Sequence, residues 1–405
     1  MKPIVRAGRM KPVHSDIRGP LFVEAMKRQK QGIDILKLNT GNPATFGFGL
    51  PDSIKNALIE HMQDGVGYCD FKGMPQARQA ICDYETSKGI KGITPDDVFI
   101  GNGVSEVVSF ALTPLLNDGD EVLVPSPSYS LWGNSVYLED GKPVFYTCDE
   151  QANWYPDIQD IRSKITDKTK AIVIINPNNP TGVLYPKELL LEIIQIARES
   201  GLLIFADEIY DRLVMDGKQH ISLASLTEDV PVITLNGLSK SHCLCGYRCG
   251  WMVISGPREL TEDYRQGIIQ LTSLRLCANT MAQIVIPAAL DDMDTPASMV
   301  RPGGRIYEQR EATVRELEKI DGLSFVKNDA AFYVFPKLDV KKFNITNDKQ
   351  FAHDLLDVTN ILLVPGSGFD WKDPDHFRIV MLPQADILSD AIRRMGTFLD
   401  GYKQK

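Results

Sequence analysis

The stretch AIVIINPNNPTGVLYPKELLLEIIQIARESGLLIFADEIY, residues 171–210, establishes the fold class of this chain. Its two apolar runs, residues 171–175 and 202–206, are continuous rather than alternating, which is typical of strands covered on both faces. Residues 187–198 lie between them and repeat apolar side chains with the period of a helix. Strand, helix and strand in this order predict a β-α-β unit in a largely parallel sheet.

The rest of the chain extends this pattern into two domains. A third apolar run, residues 232–235, ends in the polar turn 236–240, and a long charged amphipathic stretch begins near Arg301. Short strands such as 331–336 and a closing helix near 385–402 then indicate a smaller α/β domain. We expect an N-terminal arm with part of the small domain at residues 1–45, a large domain that contains the three apolar runs at 46–295, and a small C-terminal domain at 296–405.

Length and composition limit the classes of function. The 405 residues are enough for two domains and a substantial core. The net charge of −9 gives a nucleic-acid partner no electrostatic support, and no run approaches the roughly 18 apolar residues of a membrane helix. Residues 1–6 carry charge without a following apolar segment, so no secretory signal is expected. Seven scattered cysteines, an odd number, favour reduced thiols and a cytoplasmic location.

Cys243, Cys245 and Cys249 are clustered in the sequence. A zinc site is the functional interpretation, but the spacing C-x-C-x3-C lacks the second ligand pair of structural zinc sites. Small buried thiols beside a packed loop are the better interpretation, so no metal is expected.

Polar residues after the apolar runs predict a ligand site, because ligands bind beyond the carboxyl ends of parallel strands. Lys240 follows the run 232–235, and a buried lysine can lose its proton and attack a carbonyl carbon. Arg248 can hold a phosphate with both arms of its guanidinium. Pyridoxal phosphate requires an amine that condenses with its aldehyde and a cation that binds its phosphate.

Two other strand ends carry groups that suit the ring of this cofactor. Asp207 ends the run 202–206, and a carboxylate buried there is costly unless it meets a cation such as a protonated pyridine nitrogen. Tyr210 and the Asn179 amide can each hydrogen-bond a phenolic oxygen. From the residues alone, a helix N-cap at Asp207 and a tight turn at Asn179 explain the pattern equally well.

Three weaker sequence patterns are compatible with the binding of a phosphate, a flat ring and a carboxylate, respectively. The glycines of residues 101–105 precede a predicted helix, whose first N–H groups and Ser105 suit a phosphate but also an ordinary helix start. Tyr129 at a strand end can stack on a heteroaromatic ring. Arg378 lies among apolar residues, so its guanidinium needs either a substrate carboxylate or an internal salt bridge.

Taken in order, these motifs resemble those of the class I and II aminotransferases, which are fold type I pyridoxal-phosphate enzymes, over nearly the whole chain. The motifs are 101–105, Tyr129, 179–182, Asp207 with Tyr210, Ser239 with Lys240, and Arg248. The resemblance implies an α/β fold in which helices cover a mostly parallel seven-stranded sheet, beside a smaller α/β domain. Within the family the chain is most similar to bacterial glutamate–pyruvate (alanine) aminotransferases. This similarity lies in residues 16–20, 41–43, 67–70, 237–240, 275–279 and 301–305.

The resemblance also implies residue roles. Lys240 would condense with the cofactor aldehyde and move a proton during catalysis, assisted by Asp207 and Tyr210. The cofactor would be held by Val104, Ser105, Ser239 and Arg248 at the phosphate, Tyr129 on the ring face, Asp207 at the pyridine nitrogen, and Asn179 and Tyr210 at the phenolic oxygen. The substrate would be held by Arg378, Asn179 and the Gly41 backbone at the α-carboxylate, and by Arg18 at the distal carboxylate of glutamate or 2-oxoglutarate. Tyr68 would reach the phosphate of the neighbouring subunit in a homodimer.

Two positions depart from the family pattern. Gly237, three residues before Lys240, stands where the wider family often has serine, which removes one phosphate contact. Ser15 stands where alanine-type relatives often have tyrosine, which bears on the substrate.

The expected reaction is amino-group transfer between an L-amino acid and a 2-oxo acid, with alanine/pyruvate and glutamate/2-oxoglutarate as the substrates. Specificity for aspartate, branched-chain or aromatic amino acids is an alternative, and so is a C–S lyase, because the same ring-binding residues serve both chemistries. A DNA-binding regulator with an aminotransferase-like domain is disfavoured by the acidic chain and by the early start of the family motifs.

Overall fold

The computed structural model describes residues 2–405. The strands are β1 (Leu36–Lys37), β2 (Val98–Asn102), β3 (Glu121–Ser126), β4 (Lys142–Asp149), β5 (Tyr155–Pro156), β6 (Thr169–Ile175), β7 (Leu203–Asp207), β8 (Val232–Gly237), β9 (Cys249–Ser255), β10 (Leu323–Ser324), β11 (Tyr333–Val334), β12 (Lys337–Leu338), β13 (Ile361–Leu362), β14 (Val364–Pro365) and β15 (Phe377–Val380). The main sheet has eight strands in the order β2-β9-β8-β7-β6-β3-β4-β5.

The pairing within the main sheet confirms the predicted largely parallel architecture. β8, β7, β6, β3 and β4 are parallel neighbours, whereas β9 runs antiparallel to both β8 and β2. The predicted β-α-β unit is present, since β6 and β7 pair in parallel. The sheet has one strand more than the expected seven, because the two-residue β5 pairs with the edge strand β4.

Sixteen α-helices occur within residues 2–405: some cover the two faces of this sheet, and the others lie in the N-terminal arm and the C-terminal region. They are α1 (Pro20–Lys30), α2 (Asp52–His61), α3 (Pro75–Ser87), α4 (Val104–Leu112), α5 (Leu131–Leu138), α6 (Ile158–Lys164), α7 (Lys187–Ser200), α8 (Leu238–Ser241), α9 (Arg258–Arg275), α10 (Thr280–Ile284), α11 (Ile286–Asp291), α12 (Asp294–Val300), α13 (Arg305–Leu317), α14 (Val340–Phe343), α15 (Asp348–Thr359) and α16 (Ala385–Leu399).

Strand β6 shows why its apolar run is continuous. Ala171, Val173 and Ile175 pack in the core that contains residues of α4, α5 and α9. Ile172 and Ile174 pack in the opposite core, against α6 and α7. Both faces of the strand are therefore buried, and alternation between apolar and polar residues is lost.

The C-terminal region has a core of its own, and the N-terminal arm packs on it. α13, α15 and α16 enclose this core together with β15. β1 pairs in parallel with β13, and Ala25 of α1 is buried against Leu356 and Leu362. The run at 331–336 forms a strand only at β11. The proposed domain boundaries at 45/46 and 295/296 stay predictions.

Three glycines lie side by side across the main sheet. Gly101 of β2 pairs with Gly250 of β9, which in turn pairs with Gly237 of β8. A Cβ at Gly250 would overlap backbone atoms of Gly103 and Val104, where α4 begins. This glycine row therefore lets the N-terminus of α4 lie directly against the sheet.

Among residues 2–405, no single helix is both long and apolar enough to cross a membrane. One pair, Arg258–Arg275 with Thr280–Asp291, meets the criteria of length and composition only when taken together across a bend of 119°.

We predict that Gly250→Ala destabilises the protein by about 1–3 kcal/mol, because the added methyl group meets backbone atoms that cannot turn aside. Urea denaturation of cofactor-free protein measures this free energy of unfolding. The matched control is Gly49→Ala, where an added Cβ has no neighbouring atom within 4 Å. That variant should stay within about 0.5 kcal/mol of the parent. Equal stability of the two variants would contradict the packing argument.

Candidate active site

A cavity of about 730 Å³ opens where the parallel strands of the main sheet end. The structure brings the predicted site residues together here, apart from Tyr68. Those that line the cavity are Arg18, Gly41, Val104, Ser105, Tyr129, Asn179, Asp207, Tyr210, Ser239, Lys240, Arg248 and Arg378. Residues far apart in the chain thus share one surface.

Lys240 lies in the single turn α8, directly after β8, and its amine faces the cavity. Its Nζ donates a hydrogen bond to the carbonyl oxygen of Gly41 at 3.0 Å and lies 3.9 Å from Cys245 Sγ. Burial lowers the pKa of Lys240, but nearby groups, Tyr333 first among them, outweigh it and raise that pKa above its ordinary value. In the cofactor-free chain the surrounding groups therefore favour the protonated amine, and the loss of its proton stays a prediction.

Asp207 ends β7 as a buried carboxylate, 5% exposed. Its Oδ2 accepts a hydrogen bond from Trp132 Nε1 at 3.1 Å, and it forms no ion pair with any of residues 2–405. Burial raises its pKa to about 6, against the opposing effect of the Trp132 hydrogen bond. No helix begins at Asp207, so the N-cap alternative is wrong. The carboxylate is placed to meet a cation in the cavity.

Arg378 lies on β15 and is 1% exposed. Its Nη1 donates to Asn179 Oδ1 at 2.9 Å and its Nη2 donates to the carbonyl oxygen of Asn39, while Nε has no hydrogen-bond partner. Within residues 2–405 no carboxylate pairs with it, so the internal salt bridge considered from the sequence does not form. Burial lowers the pKa of this guanidinium. A buried cation in this setting favours an anionic ligand.

Two phenols of the cavity contact each other. The hydroxyl oxygens of Tyr210 and Tyr333 are 2.8 Å apart, and both residues line the cavity. Burial raises the pKa of Tyr210 well above its ordinary value, so this phenol is neutral and has one proton to donate. Asn179, whose oxygen binds Arg378, keeps its Nδ2 protons as donors.

The opposite end of the cavity suits a phosphate. Val104 and Ser105 are the first residues of α4, where free N–H groups point outward. Arg248 has a positive φ of 56°, and its guanidinium packs where a side chain at Gly103 would stand. A Cβ at Gly237 would overlap the carbonyl oxygen of Cys249, so the packing of β8 on β9 explains the missing serine.

Comparison with known proteins identifies the family. Residues 33–392 match the family model described as aminotransferase class I and II. The chain belongs to this family. It is 50% identical over 404 residues, the full length of both chains, to a protein of Haemophilus influenzae named glutamate-pyruvate aminotransferase AlaA. A crystal structure of an aminotransferase from Escherichia coli superposes with a TM-score of 0.98, at 47% identity and full coverage of both chains.

A second solved structure, alanine aminotransferase from Pyrococcus furiosus, has a TM-score of 0.93 and 41% identity, and covers 98% of this chain and 100% of that one. Aminotransferases of this family depend on pyridoxal phosphate. The cavity fits that cofactor, because the buried Asp207 carboxylate has no counter-charge among residues 2–405, and Arg248 lines the cavity together with the first residues of α4, where a phosphate can bind.

The N-terminal arm of the aminotransferase forms one wall of the cavity through Ser15, Ile17 and Arg18. His14 fixes this segment, since its backbone N–H donates to Asn134 Oδ1 at 3.1 Å and its ring lies 3.0 Å from Asp370. Hydrogen bonds to Asp16 and Asp370 raise the pKa of His14 to about 9. These contacts fix the arm four residues before Arg18, which lines the cavity and is exposed.

Tyr68 does not line the cavity and is 83% exposed. Cys69 beside it accepts a hydrogen bond from Gln283 Nε2 at 3.4 Å. The segment is thus ordered on the surface, with the Tyr68 ring directed away from this chain's own core.

One group of possible metal ligands occurs within residues 2–405: Glu208, Asp211 and His220. Lys88 supplies the positive charge there. Its Nζ lies 2.8 Å from Glu208, 3.1 Å from Asp211 and 2.7 Å from Glu85. The cysteine cluster gives no ligand set, because Cys249 is buried within β9 whereas Cys245 faces the cavity.

Three residues of the site were not predicted from the sequence: Tyr333 and Cys245 line the cavity, and Trp132 lies behind it as the hydrogen-bond donor to Asp207. Trp132 is a core residue of α5 with only its indole N–H directed at Asp207. Tyr333 lies in an apolar strand, a pattern that predicts only burial. Cys245 was noted for its cluster, but no spacing signal placed its thiol beside Lys240.

We predict a pH-dependent stabilisation by Asp207→Asn in the cofactor-free enzyme. The folded chain binds the Asp207 proton more tightly than the unfolded chain, so ionisation destabilises the fold as pH rises from 3.8 to about 6 and beyond. The stability of the variant relative to the parent should increase by roughly 1 kcal/mol between about pH 5 and pH 8. Urea denaturation at both pH values measures this, and a difference independent of pH would refute it.

Proposed function

We propose that this aminotransferase exchanges the amino group of alanine with 2-oxoglutarate, forming pyruvate and glutamate in a reversible ping-pong cycle. The observation that carries this proposal is one cavity in which Lys240 lies with two buried charges, Asp207 and Arg378, that are unpaired within residues 2–405. Relatives named glutamate-pyruvate aminotransferase and alanine aminotransferase support the choice of substrates.

The cofactor provides what the side chains lack. Pyridoxal phosphate, when bound, supplies an electron sink for the electron pair left on a deprotonated α-carbon. Asp207 would hold the proton on its pyridine nitrogen, and Tyr210 and Asn179 would donate to its phenolic oxygen. Lys240 would hold the cofactor covalently until the substrate amine displaces Nζ, and the freed Nζ would then act as general base and general acid for the proton of the substrate α-carbon.

The remaining cavity residues bind and orient. Val104, Ser105, Ser239 and Arg248 hold the phosphate, and Tyr129 stacks on the ring. Arg378 binds the substrate α-carboxylate with both arms of its guanidinium, assisted by Asn179 and the Gly41 backbone. Since Arg378 is already fixed by Asn179 and Asn39, little conformational entropy is lost on binding.

Arg18 distinguishes the two amino acids in this proposal. It lines the cavity from the N-terminal arm and is exposed, so its charge is available to a ligand. Glutamate and 2-oxoglutarate have a distal carboxylate that Arg18 can bind, whereas alanine and pyruvate have none.

Half-reactions with single amino acids test the proposed function. We expect alanine and glutamate each to convert the bound cofactor from its aldehyde-derived to its amine form, seen as a change in absorbance. Lys240→Ala should slow this conversion by at least about 100-fold, because the general acid–base group is lost. Conversion by aromatic or branched-chain amino acids alone would contradict the alanine assignment. Pyruvate and ammonia released from cysteine without an oxo acid would establish the lyase instead.

The same assay isolates Arg18. Arg18→Met should raise KM for glutamate and 2-oxoglutarate about 10- to 100-fold, the effect of losing one charged hydrogen bond, and leave alanine and pyruvate unchanged. Arg9→Met is the matched control on the same arm, because Arg9 pairs with Asp140 outside the cavity. Equal losses for alanine and glutamate would refute this role of Arg18.

A homodimer is the second part of the proposal. Exposed apolar side chains surround Tyr68, including Val66 at 77% and Leu274 at 82% exposure. Two contacts join the segments that bear them: Arg275 Nη2 donates to the Phe71 carbonyl oxygen at 3.1 Å, and Thr280 donates to that of Gly65 at 2.8 Å. Exposed apolar surface of this kind is typical of an interface. A second copy docked here would bring Tyr68 to its partner's phosphate site.

Hybrid dimers test this arrangement. Mixing Lys240→Ala subunits with Tyr68→Ala subunits should restore activity, since each hybrid has one site with both changes and one with neither. The activity of the mixture should therefore exceed the summed activities of the two variants alone. This activity is measured as amino transfer from alanine to 2-oxoglutarate after the two variants have been refolded together. Activity equal to that sum would contradict a shared site, and mixtures of each variant with itself provide the baseline.

We also propose a cytoplasmic location. All seven cysteines carry free thiols. Cys249 and Cys148 are fully buried, and burial raises the pKa of each thiol to about 12, which keeps them unreactive. This usage of cysteine is typical of a reducing compartment.

A further inference from the structure

Tyr333 has no role in the proposed function so far. Its hydroxyl contacts Tyr210, a proposed ligand of the cofactor, and its ring contacts Arg378, the proposed ligand of the substrate carboxylate. It lies on β11, is 2% exposed, and its hydroxyl is 2.8 Å from that of Tyr210. Pairing of β11 with β15 places it on the strand beside Arg378. The guanidinium carbon of Arg378 lies 4.5 Å from the centre of the Tyr333 ring.

The surroundings of Tyr333 are shaped around its hydroxyl. A Cβ at Gly41 would overlap the Tyr333 hydroxyl and the ring of Phe332. The Phe332 and Tyr333 rings have centroids 4.8 Å apart, and Tyr210 packs edge-on against both. The hydroxyl therefore has one defined position, beside the oxygen of Tyr210.

The direction of the Tyr210–Tyr333 hydrogen bond follows from proton counting. A phenol has one proton to donate. If Tyr210 donates its proton to the phenolic oxygen of the cofactor, its own oxygen can only accept from Tyr333. A hydroxyl that accepts one hydrogen bond donates a stronger one, because the chain of bonds is polarised.

We infer that Tyr333 is a positioning residue: its hydroxyl donates to Tyr210 and directs the Tyr210 proton at the phenolic oxygen, while its ring fixes the plane of Arg378. This inference rests on the proposed placement of the cofactor ring. Tyr333 thus links the group that sets the electronic state of the cofactor to the group that binds the substrate carboxylate.

The hydroxyl is tested by titrating the absorbance of the bound cofactor with pH, in holoenzyme without substrate. Tyr210→Phe should raise the pH midpoint, because the phenolic oxygen loses a donor and becomes more basic. Tyr333→Phe should raise it too, by about 0.5 unit. In the Tyr210→Phe background, Tyr333→Phe should add nothing, because its hydroxyl acts only through Tyr210.

The possible outcomes distinguish a failure of the role inferred for Tyr333 from a failure of the proposed placement of the cofactor ring. If Tyr210→Phe itself leaves the midpoint unchanged, the placement of the cofactor ring is wrong. If Tyr210→Phe shifts the midpoint but Tyr333→Phe does not, or if the two shifts add in the double variant, the link through Tyr333 is refuted. Tyr264→Phe removes a hydroxyl that donates to Ala111 outside the cavity, at 2.7 Å, and should leave the midpoint unchanged.

The ring is tested by KM. Tyr333→Phe keeps the ring against Arg378 and should change KM for alanine less than twofold. Tyr333→Leu removes the ring and should raise KM for both alanine and glutamate about 5- to 10-fold, the effect of losing a cation–π contact. Equal KM values for the Phe and Leu variants would refute the role of the ring.

Discussion

The site depends on two buried charges that the chain leaves without an intramolecular counter-charge. Removing an ion from water costs several kcal/mol, and several other buried charges of the chain have an ionic partner that offsets that cost. Buried Arg265, for example, lies 2.6 Å from Asp97. Asp207 and Arg378 have hydrogen bonds but no such partner within residues 2–405. In the proposed site, a cationic ring would offset the desolvation of Asp207 and a substrate carboxylate would offset that of Arg378.

Backbone packing sets the distance between these charges and the phosphate end. The glycine row across β2, β9 and β8 brings the start of α4 against the sheet, beside the turn that carries Lys240. Asp207 ends the next strand, β7, and Arg378 comes from the separate sheet of the C-terminal region. Three different packing contacts therefore determine three ligand-binding positions, and none depends on a flexible side chain alone.

Much of the fold and several of the site residues could be predicted, because they follow from short-range patterns in the sequence. Continuous apolar runs predict buried parallel strands, and polar residues at their ends predict a site; Asp207, Lys240 and Asn179 were found in this way. The residues that were missed act through distant contacts. Trp132 and Tyr333 sit in apolar segments where an aromatic residue predicts only core packing, and no spacing relates them to the groups they bind. The eighth strand, β5, was not predicted because a strand of two residues is too short to show a periodic pattern.

The raised pKa of Asp207 has a consequence for how the enzyme is assembled. Burial, with a smaller contribution from the charge of Glu208, makes the Asp207 carboxyl of the cofactor-free protein hold its proton more tightly than an exposed aspartate does. In the proposed site, where Asp207 pairs with the pyridine nitrogen, a proton already on this carboxyl would be available to the ring as the cofactor enters. The protonation state of one buried side chain would then make cofactor loading depend on pH.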